Sequence, residues 1–177
     1  MKILLNTGMI LFCLMAARAE EAGFQLALFP EMQLHSMDTP IHGLTLNLFG
    51  QNEQHGLTLG LGNWMTGDSY GFALGGIINK TESYHGVQWG LVNYDSKDAC
   101  GWMLGAVNAV GDTFTGFQLG GFNYAKVCSG FQLGVFNYAD ELRGLQIGAI
   151  NIVTKNAWFQ DFPNQLGAFF PIVNWSF

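Results

Sequence analysis

The chain has 177 residues, enough for one domain, and only 11% of them are charged while 49% are apolar; soluble domains carry roughly 25% charge. Its 24 glycines stand beside 15 phenylalanines, and so many aromatics with so little charge exclude a disordered linker. A formal net charge of −6 without a basic cluster argues against nucleic acid as a partner.

The N-terminus reads as a secretory signal. Lys2 precedes an apolar run from Gly8 to Ala17, and Ala17-Arg18-Ala19 supplies a small-x-small cleavage site. The run is shorter than the roughly 20 residues a transmembrane helix needs, and the bulky Phe12 disfavours a lipoprotein anchor at Cys13. Residues 1–19 are therefore expected to be a signal peptide, and residues 20–177 a single exported β-repeat domain. Cleavage removes Lys2 and Arg18, which leaves the mature chain more acidic still.

Next comes the repeat. Segments opening at Gly43, Gly56, Gly71, Gly86, Gly101, Gly116, Gly130 and Gly144 read GLTLNLFGQ, GLTLGLGNW, GFALGGIIN, GVQWGLVNY, GWMLGAVNA, GFQLGGFNY, GFQLGVFNY and GLQIGAINI. Their starts lie 13, 15, 15, 15, 15, 14 and 14 residues apart. An earlier copy opens at Gly23 and a later one, QLGAFF, at Gln165, giving ten candidates. Within a copy large apolar residues alternate with Gly, Gln or Thr, the period of a strand with two different faces. A helix would lose about 1 kcal/mol at each glycine relative to alanine. The four to six residues between copies are rich in Asp, Lys, Ser, Thr and Asn, which suits turns. The extra Gly76 delays Asn79 by one place and predicts a bulge.

None of the eight central copies contains Asp, Glu, Lys or Arg, whereas a strand with one wet face normally carries charge there. The expected fold is a small antiparallel up-and-down β-barrel of about ten strands, with lipid outside and an uncharged, filled lumen. Nine-residue copies suit the roughly 9–11 residues of a spanning strand, and an even strand count suits a closed barrel. Aromatic belts would come from Phe72, Trp102, Phe117 and Phe131 at one end and Trp64, Tyr94, Tyr124 and Tyr138 at the other. Phe169, Val173, Trp175 and Phe177 alternate up to the C-terminus. This run resembles the terminal strand that the barrel-assembly machinery reads in bacterial outer-membrane proteins. Phe122, Phe136 and Ile150 would help to fill the interior.

The alternative is a β-solenoid of 14–15-residue coils, favoured by the even spacing and by recurring Asn93, Asn108, Asn123, Asn137 and Asn151. Such a solenoid would turn an uncharged Gly and Gln face toward water, an aggregation hazard. Cys100 and Cys128 can form a disulfide on one rim of a barrel. Two coils apart in a solenoid, at roughly 9–10 Å, they would be too distant for one.

The copies GVQWGLVNY, GFQLGGFNY, GFQLGVFNY and GLQIGAINI, with the closing PIVNWSF, resemble a family of bacterial surface-repeat proteins. Its members carry serial Gly-Leu-Gln-Leu-Gly-Leu-x-Asn units and end in a similar Phe-Pro-x-x-Asn-x-x-Phe run. The resemblance spans nearly the whole mature chain and implies placement in the outer membrane or at the cell surface, with no activity to transfer. Thr45, Thr58, Ala73 and Met103 depart from the pattern at the Gln position, and Asn47 at the second Gly position.

Little in the chain suggests chemistry. His42, His55 and His85 each precede a repeat glycine, but a barrel puts His42 on the rim opposite the other two, and two histidines lack the further ligands zinc needs. Ser69, Ser83 and Ser129 are turn serines outside any nucleophile elbow. In the outer connections Asp38, Asp68, Asp95, Asp98 and Asp161 have only His35 and His42 for company. No catalysis, metal or cofactor is expected. Gln88, Gln118, Gln132 and Gln146 read as a hydrogen-bonded lumen, or as the lining of a polar pore. The expected partners are the lipid bilayer, the assembly machinery during biogenesis and a surface ligand the residues do not name. The expected role is structural or in interaction, the alternative a narrow pore or lipid-binding transport barrel.

Overall fold

The structure, a computed structural model, describes residues 21–177; the expected signal peptide and Cys13 lie outside them. The described chain is all-β: β1 (Ala22–Phe29), β2 (Met32–Gln33), β3 (Ile41–Asn52), β4 (Gln54–Asp95), β5 (Ala99–Leu104), β6 (Val107–Val153) and β7 (Phe169–Ser176). They form one sheet in the order β2-β1-β3-β4-β5-β6-β7.

The lengths of β4 and β6, 42 and 47 residues, correct the barrel expectation. No spanning strand is that long. The chain stays extended through the segments expected to be turns, so each of these is the second wall of a coil. Neighbouring copies pair in parallel and in register, Gly43 with Gly56, Gly86 with Gly101 and Gly101 with Gly116. A hairpin reverses direction and cannot place equivalent residues side by side in this way. The fold is the β-solenoid, and the rims, the belts and the pore lumen go with the barrel.

Antiparallel pairs occur at the two ends, β2 on β1 and β7 on β6. β7 covers the edge of the last coil, and the two-residue β2 covers only the end of β1; free edges would otherwise recruit other strands. The last strand is Phe169–Ser176 rather than QLGAFF; Gln165 makes only an isolated bridge to Ser176. In β7, Val173 faces Ile147 and Trp175 faces Leu145, so the C-terminal alternation matches the columns of the solenoid it caps. The assembly-machinery expectation rested on a barrel-closing strand, which a parallel stack does not have.

The later coils each send four side chains inward. In the coil opening at Gly116 these are Gln118, Asn123, Ala125 and Cys128, all fully buried. Phe122, Phe136 and Ile150, expected inside, face outward instead. A buried amide must fill both of its N–H donors and its oxygen, and stacking does this with one residue type. Asn63, Asn79, Asn93, Asn108, Asn123, Asn137 and Asn151 form a ladder in which each Nδ2 donates to the next Oδ1 at 2.7–2.9 Å. The second N–H goes to a backbone carbonyl of the following coil, such as Leu104 or Leu119. Asn151 ends the ladder on the carbonyl of Phe170 in β7. The residue added near Gly76 is absorbed, because the ladder steps 16 residues to Asn79 and then 14 to Asn93.

A shorter ladder joins Gln146 to Gln132 at 2.7 Å and Gln132 to Gln118 at 2.8 Å. Met103 interrupts it, so the Gln118 amide donates to the Met103 sulfur and to the Tyr124 carbonyl rather than to a further glutamine, and Gln88 stands apart. The repeat-opening glycines have φ between 123° and 150°, and a Cβ on Gly86 would lie 2.0 Å from the carbonyl oxygen of Gly71. Close stacking at this column thus requires glycine.

The coil opening at Gly43 carries one irregularity. Gly50 pairs with Asn63, and Asn47 pairs with Gly60, so the amide and the glycine have exchanged places. Asn47 fills the space beside Gly50, and both Asn47 Oδ1 and Asn63 Oδ1 are left without partners. Restoring the pattern with Asn47→Gly and Gly50→Asn together should extend the ladder and raise unfolding stability by about 1 kcal/mol. Asn108→Ala should cost about 3 kcal/mol, since it orphans amide groups on both neighbours. Denaturant titration of the mature chain measures both.

Candidate functional site

With amides inside, the large apolar side chains point outward. Counting the opening glycine as the first position, the second and fourth positions of each coil, and usually the sixth, form three parallel columns, represented by Phe131, Leu133 and Val135. Trp89, Trp102, Phe131 and Val135 are 56%, 58%, 53% and 64% exposed. The columns run from Phe24 and Leu26 in β1 to Trp175 and Val173 in β7, and they carry no ionisable group. Ten strands at about 4.8 Å, crossed by some 15 Å of chain, make this face on the order of 700 Å². The solenoid expectation of an exposed Gln face is therefore reversed.

The face is grooved as well as flat. Gly105, Gly120 and Gly121 leave a shallow trough of about 590 Å³ between Trp89, Leu104, Leu119, Leu133 and Val135. At the C-terminal end Trp175 donates its indole N–H to the Pro163 carbonyl at 2.7 Å. This ties the face to a loop bearing exposed Trp158, Phe159 and Phe162.

Charges occupy the other wall and the ends. Lys97 pairs with Glu82 at 2.8 Å and Lys126 with Asp112 at 3.3 Å, and Lys155 pairs with Glu141. Each pair links consecutive coils. The side-chain bond between Lys97 and Glu82 draws the carboxyl below and the ammonium above its usual range. These pairs are exposed and contribute little individually to stability.

The residues singled out from the sequence are distributed by the same register. Cys100 and Cys128 are free thiols on different columns. Cys128 points inward in the column of Tyr84, Ala99, Phe114 and Leu142, and burial pushes its thiol up to about 12. Cys100 points out, so the disulfide reading fails on orientation as well as distance. His42 and His55, expected on opposite rims, are neighbours in register, with His55 Nδ1 3.2 Å from His42 Nε2. Glu53 Oε1 lies 3.0 Å from His55 Nε2, and Tyr70 stacks on the His55 ring at 4.3 Å. Among the described residues no three His, Cys, Asp or Glu side chains converge on a metal position.

Asp95, too, lies elsewhere than the barrel would put it. Expected in an outer loop, it occupies an inward column beside Thr81 and Val110 and is fully buried. The signal was its spacing: two places after a ladder Asn, where Met65, Ala125, Ala139 and Val153 are also buried. Burial pushes its carboxyl up to about 7, against the smaller opposing effect of hydrogen bonds from Gln88 and Thr81. Gln88 Nε2 donates to Asp95 Oδ1 at 2.9 Å, while Gln88 Oε1 and Asp95 Oδ2 have no partner. Both orphans are acceptors, so a proton on Oδ2 removes part of the mismatch. The Tyr84 hydroxyl is raised, first by burial and then by the nearby Asp95.

No family model, curated protein or solved structure matches this chain, so the likeness to the surface-repeat family rests on the repeat units alone.

Because Asp95 holds its proton more tightly folded than unfolded, its contribution is complete below about pH 4 and lost as pH rises to about 7. The loss is on the order of 4 kcal/mol. Asp95→Asn should remove this part of the pH dependence in denaturant titrations between pH 4 and 8. Maleimide should label Cys100 in the folded mature chain and Cys128 only after denaturation, as read by mass spectrometry.

Proposed function

We propose that this chain is an exported surface protein of the bacterial envelope that acts by attachment rather than catalysis, seating its apolar face on lipid. The observation that carries the reading is the ten-strand face without an ionisable side chain. Soluble monomers rarely leave so large an apolar patch uncovered. Export is supported by the signal-like N-terminus, and envelope placement by the repeat resemblance.

Lipid is favoured as the occupant by the chemistry of the face. Trp89, Trp102 and Trp175 suit the zone between headgroups and acyl chains, and the trough across Gly105, Gly120 and Gly121 is lined for hydrocarbon. The protein's net negative charge and the absence of cations on this face leave nothing to attract anionic headgroups. Attachment is then driven by apolar burial. The bilayer partner expected for a barrel is kept in this reading, but lipid meets one face of a solid stack.

The mature chain should float with phosphatidylcholine vesicles, with little dependence on salt or on added anionic lipid. Leu133→Lys with Val135→Lys, both on the exposed face, should lower the bound fraction by about tenfold or more. A chain that stays off vesicles and forms a stable dimer, lost in the same double variant, would replace lipid by a second copy.

A further inference from the structure

The wall opposite the lipid face has its own concavity. Pro30, Glu31 and Met37, on the segment that carries β2, form one side of an open groove of about 950 Å³ beside the early coils. Its floor is a column of residues that each follow a ladder asparagine: Trp64, Lys80 and Tyr94. The ladder fixes these positions because Asn63, Asn79 and Asn93 are bonded in series. Successive coils therefore present an aromatic ring, an ammonium and a second aromatic ring, with the two rings about 9–10 Å apart. Thr66 and Ser96 add hydroxyls alongside, Glu31 and the mutually paired Lys97 and Glu82 also line the groove, and Lys80 is the lining cation without a carboxylate partner among the described residues.

Lys80 breaks the charge pattern of this wall. Lys97, Lys126 and Lys155 each pair with a carboxylate one coil earlier. One coil before Lys80 the matching place is held by Trp64, and Lys80 makes no ion pair among the described residues. It is an exposed cation in a groove between two aromatic side chains, 39% exposed in the case of Tyr94.

We propose that this groove binds an acidic saccharide. The apolar ring faces of a sugar chain lie against Trp64 and Tyr94, its hydroxyls bond to Thr66 and Ser96, and its carboxylate pairs with Lys80. Rings alone would accept any flat ligand; the flanking hydroxyls favour a polyhydroxylated one, and the unpaired ammonium favours an acid. The site is independent of the lipid-facing wall.

Calorimetry of the mature chain with a galacturonic acid trimer, and with a neutral galactose trimer as the control, tests this. The acidic trimer should bind about fivefold more tightly, and more weakly in high salt. Lys80→Gln should abolish the preference between the two trimers while neutral binding persists. Trp64→Ala should weaken both trimers by up to about tenfold, and Tyr94→Ala serves as a second variant if Trp64→Ala melts early. Leu133→Lys with Val135→Lys should leave saccharide binding unchanged. Absence of binding by the acidic trimer, or a preference that survives Lys80→Gln, overturns the proposal. So does tight binding of benzoate in the groove with no saccharide bound, which would make it a site for flat acids instead.

Discussion

A buried primary amide has two donors and one acceptor to satisfy, and this protein places a file of them along its centre. In-register stacking meets the demand with one residue type, since each asparagine offers the next coil what it takes from the one before. Much else follows from that geometry. The coils must run parallel, because only then do equivalent residues align. Coil length can vary, as the steps of 14, 15 and 16 residues between ladder asparagines show, provided the amide returns to the same place. The backbone opposite must stay small: a Cβ on Gly105 would lie 2.9 Å from Asn93 Nδ2 and 2.3 Å from the Gly90 carbonyl oxygen.

An interior half made of amides inverts the usual partition. The alternating strand has two faces, and once Gln and Asn take the inside, Phe, Leu and Trp are left for the outside. The second wall behaves more conventionally, burying small apolar residues such as Ala125 and Val153 and exposing charges such as Lys126. The coil is thus amphipathic across its thickness, with an apolar wall and a charged one back to back. Its caps follow the same logic, since β7 continues the apolar columns with Val173 and Trp175 while Asn174 is buried.

Individuality is found where the repeat departs from itself. Exchange of Asn47 and Gly50 starts the ladder one coil late and strands two oxygens. Met103 splits the glutamines, and Asp95 then supplies the acceptor that Gln88 does not find in its own column. Lys80 follows Asn79 where Trp64, Tyr94, Tyr124 and Tyr138 follow their ladder asparagines, and it puts a cation between two rings of that column. These departures fall in the first two thirds of the chain, whereas the coils from Gly116 to Gly144 are nearly interchangeable.

The residues by themselves determined the β character, the starts of the glycine-led copies, the face carrying the grease and the face carrying the amides, because all of these follow from a period of two and a recurring glycine. They did not determine whether adjacent copies run in the same or opposite directions, since alternation is identical in both. Direction depended on the four to six residues between copies, and there the period of two breaks, since Val110 and Phe114 are buried while Asp112 between them is exposed, so the segment reads as turn chemistry. Only the tertiary structure decided that those residues form a second wall, and with it the burial of Asp95 and Cys128, the meeting of His42 with His55, and the groove over Lys80. The physical reason is that a stacked amide becomes satisfied only when the neighbouring coil is present, so the interaction that selects parallel order does not exist within any single copy.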